Sequence, residues 1–346
     1  MDSKNKLWFA SDYQEGACRQ IIEKLVETNY EHSPGYGTDD YCNSARDRIR
    51  EACGCPGAEV HFLSGGTQTN QLMIDTALRP WQGVIAAETG HIATHEAGAI
   101  EFTGHKVLAL PHHLGKLTSE AIDEYVQAYY GDDNHDHMVA PGMVYLSHPT
   151  EYGTIYSKEE LTKIREVCDR HGLLLYLDGA RLGYALACLE SDLTLYDLAR
   201  LCDIFYIGGT KCGALFGEAV VIPRAGLIPH LFTMIKQHGA LLAKGRMLGL
   251  QFDVLFTDDL YKRIAANAIA MADQIRQTLR EKGYQFYFEN PTNQIFIVVS
   301  DDKLAELAEH VEYGFWEKYD ETHTVIRLAT SWATSGEDVE KLAEVL

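Results

Sequence analysis

From residue 60 onward, short runs that are apolar throughout alternate with longer stretches in which apolar residues recur at helical spacing. Residues 60–63, 83–87, 107–110, 143–147 and 173–177 read as buried strands, and residues 69–77, 119–130 and 158–171 as helices. Such alternation builds βαβ units and a mostly parallel sheet. Residues 204–207 and 219–222 are two more strands. The second follows too soon for a parallel crossover, so it is expected to lie antiparallel to the first. Past Lys244-Gly245-Arg246, an amphipathic helix over about 258–282 leads into a smaller α+β module. Its strands are expected at 284–289, 294–299 and 325–329, and its helices at 302–311 and 336–346. Upstream, residues 1–16 read as an arm, 18–27 and 43–52 as helices, and Ser33-Pro-Gly-Tyr-Gly-Thr-Asp-Asp40 as a turn-rich segment. The expected division is an arm over 1–16, a large domain over 17–250 and a small C-terminal domain over 251–346.

The length of 346 residues fits this two-domain reading. Thirty basic against 50 acidic residues give a formal charge of −20, which opposes nucleic acid and anionic membrane as partners. The eight cysteines are scattered and the first residues lack the apolar core of a secretory signal, so reduced thiols and a cytoplasmic location are expected. No apolar run approaches the roughly 20 residues that cross a bilayer. No metal site is expected. Cys53-Gly-Cys55 with His61 is too tightly spaced for a zinc knuckle, and Asp132-Asp-Asn-His-Asp-His137 reads as a solvated loop.

The chemistry begins at Lys211, where the apolar run Ile204-Phe-Tyr-Ile207 is delivered abruptly into Gly-Gly-Thr-Lys-Cys-Gly213. A lysine there can be desolvated, hold a neutral amine and attack a carbonyl. The strand at 173–177 runs into Asp178, with Arg181 three positions on. Lysine plus strand-end aspartate is the pairing used with pyridoxal phosphate, the amine forming the Schiff base and the carboxylate facing the pyridinium nitrogen. Leu63-Ser-Gly-Gly66-Thr67-Gln68-Thr-Asn70 joins a strand to a helix, and its glycines can bring backbone N–H groups to an anion or serve only the tight turn. His91 and His95 stand at i,i+4 without the glutamate of a zinc helix, so His91 is either a structural histidine or one stacked on the cofactor. Arg327 sits among apolar residues of the last strand and needs an anion, from a substrate carboxylate or a structural salt bridge.

These runs resemble the low-specificity threonine aldolases, β-eliminating lyases within the aspartate aminotransferase fold, fold type I of the pyridoxal phosphate enzymes. The likeness extends from Ser11-Asp12 and Tyr36-Gly37 with Asp39-Asp40, through Phe62-Leu63 and Gly66-Thr67-Gln68 with Asn70, to Asp178-Gly-Ala-Arg181 and Thr210-Lys211. It implies an α/β large domain with a mostly parallel seven-stranded sheet between helices, plus the small α+β domain. It implies that Lys211 forms the Schiff base, Asp178 pairs with the ring nitrogen and His91 stacks on the ring. Gly66, Thr67, Gln68, Thr210 and Lys244 are implied at the phosphate, and Ser11, Tyr36, Arg181 and Arg327 at the substrate. Glu151, in Thr150-Glu-Tyr-Gly153, departs from a branch of the family that reads Thr-His-Asn-Gly there.

The implied activity is retro-aldol cleavage of L-threonine, L-allo-threonine and related β-hydroxy-α-amino acids to glycine and an aldehyde. His91 is the expected base, directly or through a water shared with Glu151. The implied assembly is a homodimer or dimer of dimers (a homotetramer), with Tyr36 and Lys244 completing a neighbour's site. The alternatives are another pyridoxal phosphate reaction, namely β-elimination, racemisation or transamination, and a non-catalytic pyridoxal phosphate-binding protein.

Overall fold

The structure, a computed structural model, describes residues 6–346, so residues 1–5 of the expected arm lie outside it. Seven strands form the larger sheet: β2 (Glu59–Leu63), β3 (Gln82–Ala87), β4 (Val107–Leu110), β5 (Ala140–Ser147), β6 (Leu174–Asp178), β7 (Ile204–Gly208) and β8 (Glu218–Ile222). Their order is β2-β8-β7-β6-β5-β3-β4. The pairs from β7 to β4 are parallel, and β8 runs antiparallel to both β7 and β2, as its short connection requires.

The period-two alternation in the central strands sorts their side chains onto two cores. Val144 and Leu146, Leu175 and Leu177, and Phe205 and Ile207 pack on one face. Met143 and Tyr145, Tyr176, and Ile204 and Tyr206 pack on the other. Asp178 follows Tyr176 by two residues and ends β6 opposite Ser147 of β5. It therefore emerges at the carboxyl edge of the sheet, on the tyrosine-bearing face. In open α/β sheets that edge is where ligands bind.

The helices follow local signals. Lys158–His171 has a capping box from Ser157 and Glu160 and stops at Gly172 in the left-handed region. The helix expected from residue 69 begins earlier, at Gly66, because extended Gly65 serves as its N-cap. Gly66 and Thr67 thus form its first turn rather than a preceding loop.

Gly179 has a packing reason within Asp178-Gly-Ala-Arg181. A Cβ at this position would fall on the carbonyl oxygen of Tyr206 in the adjoining strand, and backbone cannot move aside as a side chain can. Gly179→Ala is expected to destabilise the fold by about 1–3 kcal/mol, the usual cost of overpacking. Thermal unfolding measured beside the unchanged protein checks this; an unaltered midpoint would refute the close-packing argument.

The second sheet is built from β1 (Leu7–Phe9), β9 (Gln285–Phe288), β10 (Gln294–Ser300), β11 (Val311–Lys318) and β12 (His323–Ala329), in the order β1-β11-β12-β10-β9. Two expectations change here. Within the segment read as an arm, residues 7–9 pair in parallel with residues 311–313. The helix expected over 302–311 covers only Asp301–Leu307, and Val311 opens β11 instead. Ser300 caps that helix by accepting from the Lys303 N–H, while β11 is held between β1 and β12. Phe9, Ile295, Ile297, Ile326 and Leu328 share a core with the flanking helices. Residues 135–137 of the acidic, histidine-bearing loop form a single tight turn. Among the described residues, no helix is long and apolar enough to cross a membrane.

Candidate active site

Lys211 leaves β7 on a turn closed by Gly209 and Thr210 N–H groups, both donating to the Gly217 carbonyl at 3.0 and 3.1 Å. Gly213, at φ +90°, completes the reversal into β8. The Tyr184 hydroxyl donates to the Lys211 carbonyl and fixes the backbone. Among the described residues the amine itself makes no hydrogen bond or ion pair; its Nζ lies 5.8 Å from the centre of the Tyr13 ring. Burial, and then the Arg181 charge, hold its pKa below the usual lysine range against the pull of Asp12, Asp178 and Glu218. That favours the nucleophilic free amine.

Asp178 is buried in a cage of donors. The Tyr145 and Tyr206 hydroxyls donate at 2.6 and 2.5 Å, the Asn70 amide at 2.9 Å and the Ala180 N–H at 3.0 Å. Burial alone would raise its pKa, but His91 and these donors outweigh burial and hold it below the ordinary value. The carboxylate form is secured. Tyr145 and Tyr206 were not singled out from sequence. The signal was available: β5, β6 and β7 each carry one tyrosine near the carboxyl end of an apolar strand, all on one face.

Glu96 was also missed, because the histidine pair at 91 and 95 drew the reading toward a zinc helix. Its carboxylate is buried, accepts from Asn70 at 2.7 Å and meets His91 Nδ1 at 2.8 Å. A continuous polar chain therefore runs His91–Glu96–Asn70–Asp178. Burial opposes charge on His91, yet the Glu96 hydrogen bond and the Asp178 and Glu96 charges raise its pKa above the ordinary value. Glu151 accepts from the His91 backbone N–H at 2.9 Å and the Ser147 hydroxyl at 2.6 Å through Oε1. Its Oε2 is buried without a partner among the described residues, and burial raises its pKa.

Arg181 donates through Nε and one terminal nitrogen to Asp12, at 2.6 and 2.9 Å, and Asn293 also donates to Asp12 at 2.9 Å. Burial opposes ionisation of Asp12, but Arg181 and Lys211 prevail and bring its pKa down to about 2. Arg181, expected as a carboxylate ligand, is thus already gripped by a carboxylate of the chain itself. Arg327 differs. It donates to Gln294 Oε1 at 3.0 Å and to the Ala10 carbonyl at 2.9 Å, and among the described residues it has no carboxylate partner. Its Nε is buried and, among the described residues, unpaired, as is the Ser11 hydroxyl.

Two cavities, of about 220 and 530 Å³, share His91, Glu151, Arg181 and Lys211 in their linings. The first adds Asp178, Tyr206, Thr210, Glu218 and the Ser64–Thr67 turn, and the second adds Tyr13, His95, Trp316 and Arg327.

Two expected contacts are placed differently. The Thr210 hydroxyl, expected at a phosphate, donates to Glu218 at 2.8 Å and accepts from Gly217 N–H at 2.9 Å. Gln68 lies outside the cleft lining and folds back to accept from the Ser64 N–H and hydroxyl at 3.2 and 2.9 Å. Tyr36 and Lys244 line neither cavity; the Tyr36 N–H donates to the carbonyl of Ala243, beside exposed Lys244.

The donor set fits pyridoxal phosphate. It holds a half-buried lysine amine facing the cavity, a carboxylate kept ionised at the sheet edge, and a helix whose N-terminal Gly65 has open space where a side chain would stand. Sheet and site together define a pyridoxal phosphate enzyme of the aspartate aminotransferase fold. A solved Thermus thermophilus aspartate aminotransferase mutant superposes with a TM-score of 0.73 at 14% identity, covering 99% of this chain and 91% of that one. Residues 9–302 match the Beta-eliminating lyase family, and the chain belongs to that family. It is 31% identical over 338 residues to the low specificity L-threonine aldolase of Pseudomonas aeruginosa, covering 97% of this chain and 95% of the relative. A solved threonine aldolase of Leishmania major is 43% identical with a TM-score of 0.95, covering 98% of both chains.

Proposed function

We propose that this chain cleaves L-threonine, L-allo-threonine and related β-hydroxy-α-amino acids to glycine and an aldehyde. The reading is carried by its likeness to threonine aldolases along nearly the whole chain, joined to a site of matching chemistry. Pyridoxal phosphate supplies the electron sink for the Cα–Cβ bond of the amino acid. Lys211 would hold it covalently, Asp178 would keep its ring nitrogen protonated, and His91 would lie against the ring. The N–H groups of Gly66 and Thr67 would face its phosphate.

The Arg327 Nε and Ser11 hydroxyl, unpaired among the described residues, suit the substrate carboxylate, with Arg181 lending charge from its place on Asp12. Holding that carboxylate fixes which Cα bond is aligned for breaking. His91 would take the proton from the β-hydroxyl, directly or through a water shared with Glu151. The test is to supply L-threonine, L-allo-threonine and their D-forms and assay glycine and acetaldehyde together. Paired products from the L-forms support the reading; intact threonine with a reducible lysine adduct would overturn it.

Glu96 would act through His91. Replacing it by Gln removes a charge that raises the His91 pKa, so the acid limb of kcat/KM is expected to move to lower pH. Titration of the His91 ring by NMR should move the same way. An unmoved His91 titration would remove Glu96 from this role.

We also infer a dimer or dimer of dimers in which Tyr36 and Lys244 reach the site of a neighbouring copy. Both line neither cavity of their own chain and Lys244 is exposed, which supports this, and a fully active monomer in light scattering would oppose it. A cytoplasmic location suits eight free cysteines, all but Cys55 buried.

A further inference from the structure

A carboxylic acid stands beside the turn that would receive a phosphate. Glu218 opens β8 directly opposite Leu63, the residue that leads into Ser64-Gly65-Gly66, and opposite Gly208 on its other side. It lines the same cavity as Ser64, Gly65, Gly66, Thr67 and Lys211. Its Oε1 accepts the Thr210 hydroxyl at 2.8 Å and its Oε2 the Gly209 N–H at 3.1 Å. Two donors of the lysine turn are therefore spent on Glu218.

We propose that Glu218 governs how tightly the phosphate of the cofactor is held, tolerating it as the neutral acid and repelling it as the carboxylate. This inference rests on the pyridoxal phosphate reading above. As an acid, Glu218 brings no charge against a neighbouring dianion; ionised, it places a like charge against that dianion in a poorly solvated wall. Burial pushes its pKa up to about 8, opposed by the Thr210 hydrogen bond, Lys211 and the Gly209 N–H, and reinforced by Asp178. From the packed strands and helices, Tyr176, Tyr206 and Tyr261 also feel its charge, while Leu63 and Gly208 beside it carry none. Glu218 therefore takes on charge at mildly alkaline pH. The second ionisation of a phosphate monoester, near pH 6, is complete before that.

The test is equilibrium dialysis of the holoenzyme, which measures retained pyridoxal phosphate at pH 7 and 9.5 for the unchanged protein and Glu218→Gln. The same measurement with phosphate-free pyridoxal cancels any effect of pH on the lysine adduct. The unchanged protein is expected to lose affinity for pyridoxal phosphate, relative to pyridoxal, on the order of tenfold across this range. Glu218→Gln should keep the same preference for pyridoxal phosphate over pyridoxal at both pH values. A pH-independent ratio in the unchanged protein overturns the proposal even if the variant does not fold, and so does an unaltered pH response in a folded variant. Failure to retain either compound at pH 7 would instead remove the cofactor reading, and this inference with it.

Discussion

Replacing Lys211 by alanine is expected to lower glycine and acetaldehyde formation from L-threonine by at least about 10³-fold, as loss of a covalent catalytic group does. Among the described residues that line the cleft, Lys211 alone carries a primary amine able to form an imine with a carbonyl; burial and Arg181 hold it toward the neutral form, and among the described residues no hydrogen bond competes for its lone pair. The variant also removes whatever charge the protonated amine lends to holding Asp12 ionised, but the Arg181 grip and the Asn293 amide remain. The fold should therefore survive. Borohydride treatment followed by mass spectrometry separates the two effects. The unchanged protein should gain a stable cofactor adduct on Lys211, and the variant should gain none while keeping its circular dichroism. Turnover within tenfold of the unchanged protein would show that the amine is not the covalent anchor.

Much of the larger sheet was readable because its central strands are buried on both faces and therefore written as unbroken apolar runs between helical stretches. The order β2-β8-β7-β6-β5-β3-β4 was less so, since periodicity says what a strand is and not which strand it joins. β1 and β11 escaped for a related reason. Leu7–Phe9 is only three residues long, and Val311–Lys318 is mostly half-exposed, so neither stands out until the other is placed beside it.

The chemistry divides in the same way. Lys211 and Asp178 announce themselves because a charged residue ending an apolar run has few structural uses. Glu218 also adjoins an apolar run, Ala-Val-Val-Ile222, but a single acid before a strand is indistinguishable from a solvated edge until the fold buries it. Glu96 is visible in sequence but ambiguous. Its partnership with Asn70 spans 26 residues and with His91 only five, and neither spacing marks it out without the intervening strand and turn. Thr210 and Arg181 show the converse limit. Sequence proposed outside ligands for both, whereas the fold had already supplied Glu218 and Asp12 as partners.

Asp178→Asn should lower kcat by about 10²–10³-fold, the scale on which removing one preorganised electrostatic partner is felt. The carboxylate is buried and has four donors directed at it, two hydroxyls, one amide and one backbone N–H. None of these can replace its charge. An asparagine keeps the shape but presents an N–H₂ group to part of that cage, so a donor would face a donor and a buried hydrogen bond would be lost at a cost of about 1–3 kcal/mol. The variant should consequently unfold at lower temperature as well as turn over slowly. Stability alone does not account for the expected kinetics, and pH separates the two contributions. The unchanged Asp178 has its pKa depressed in the fold, so its contribution to stability is present above the ordinary aspartate value and fades as pH falls through the depressed one. The variant should lack that acid-side fall while remaining slow at every pH where it is folded. His91 supplies the decisive readout. Asp178 is among the charges that raise its pKa, so the His91 ring in Asp178→Asn should titrate at lower pH by NMR. A slow variant with an unchanged His91 titration would mean that the loss arose from a distorted cage rather than from the missing charge.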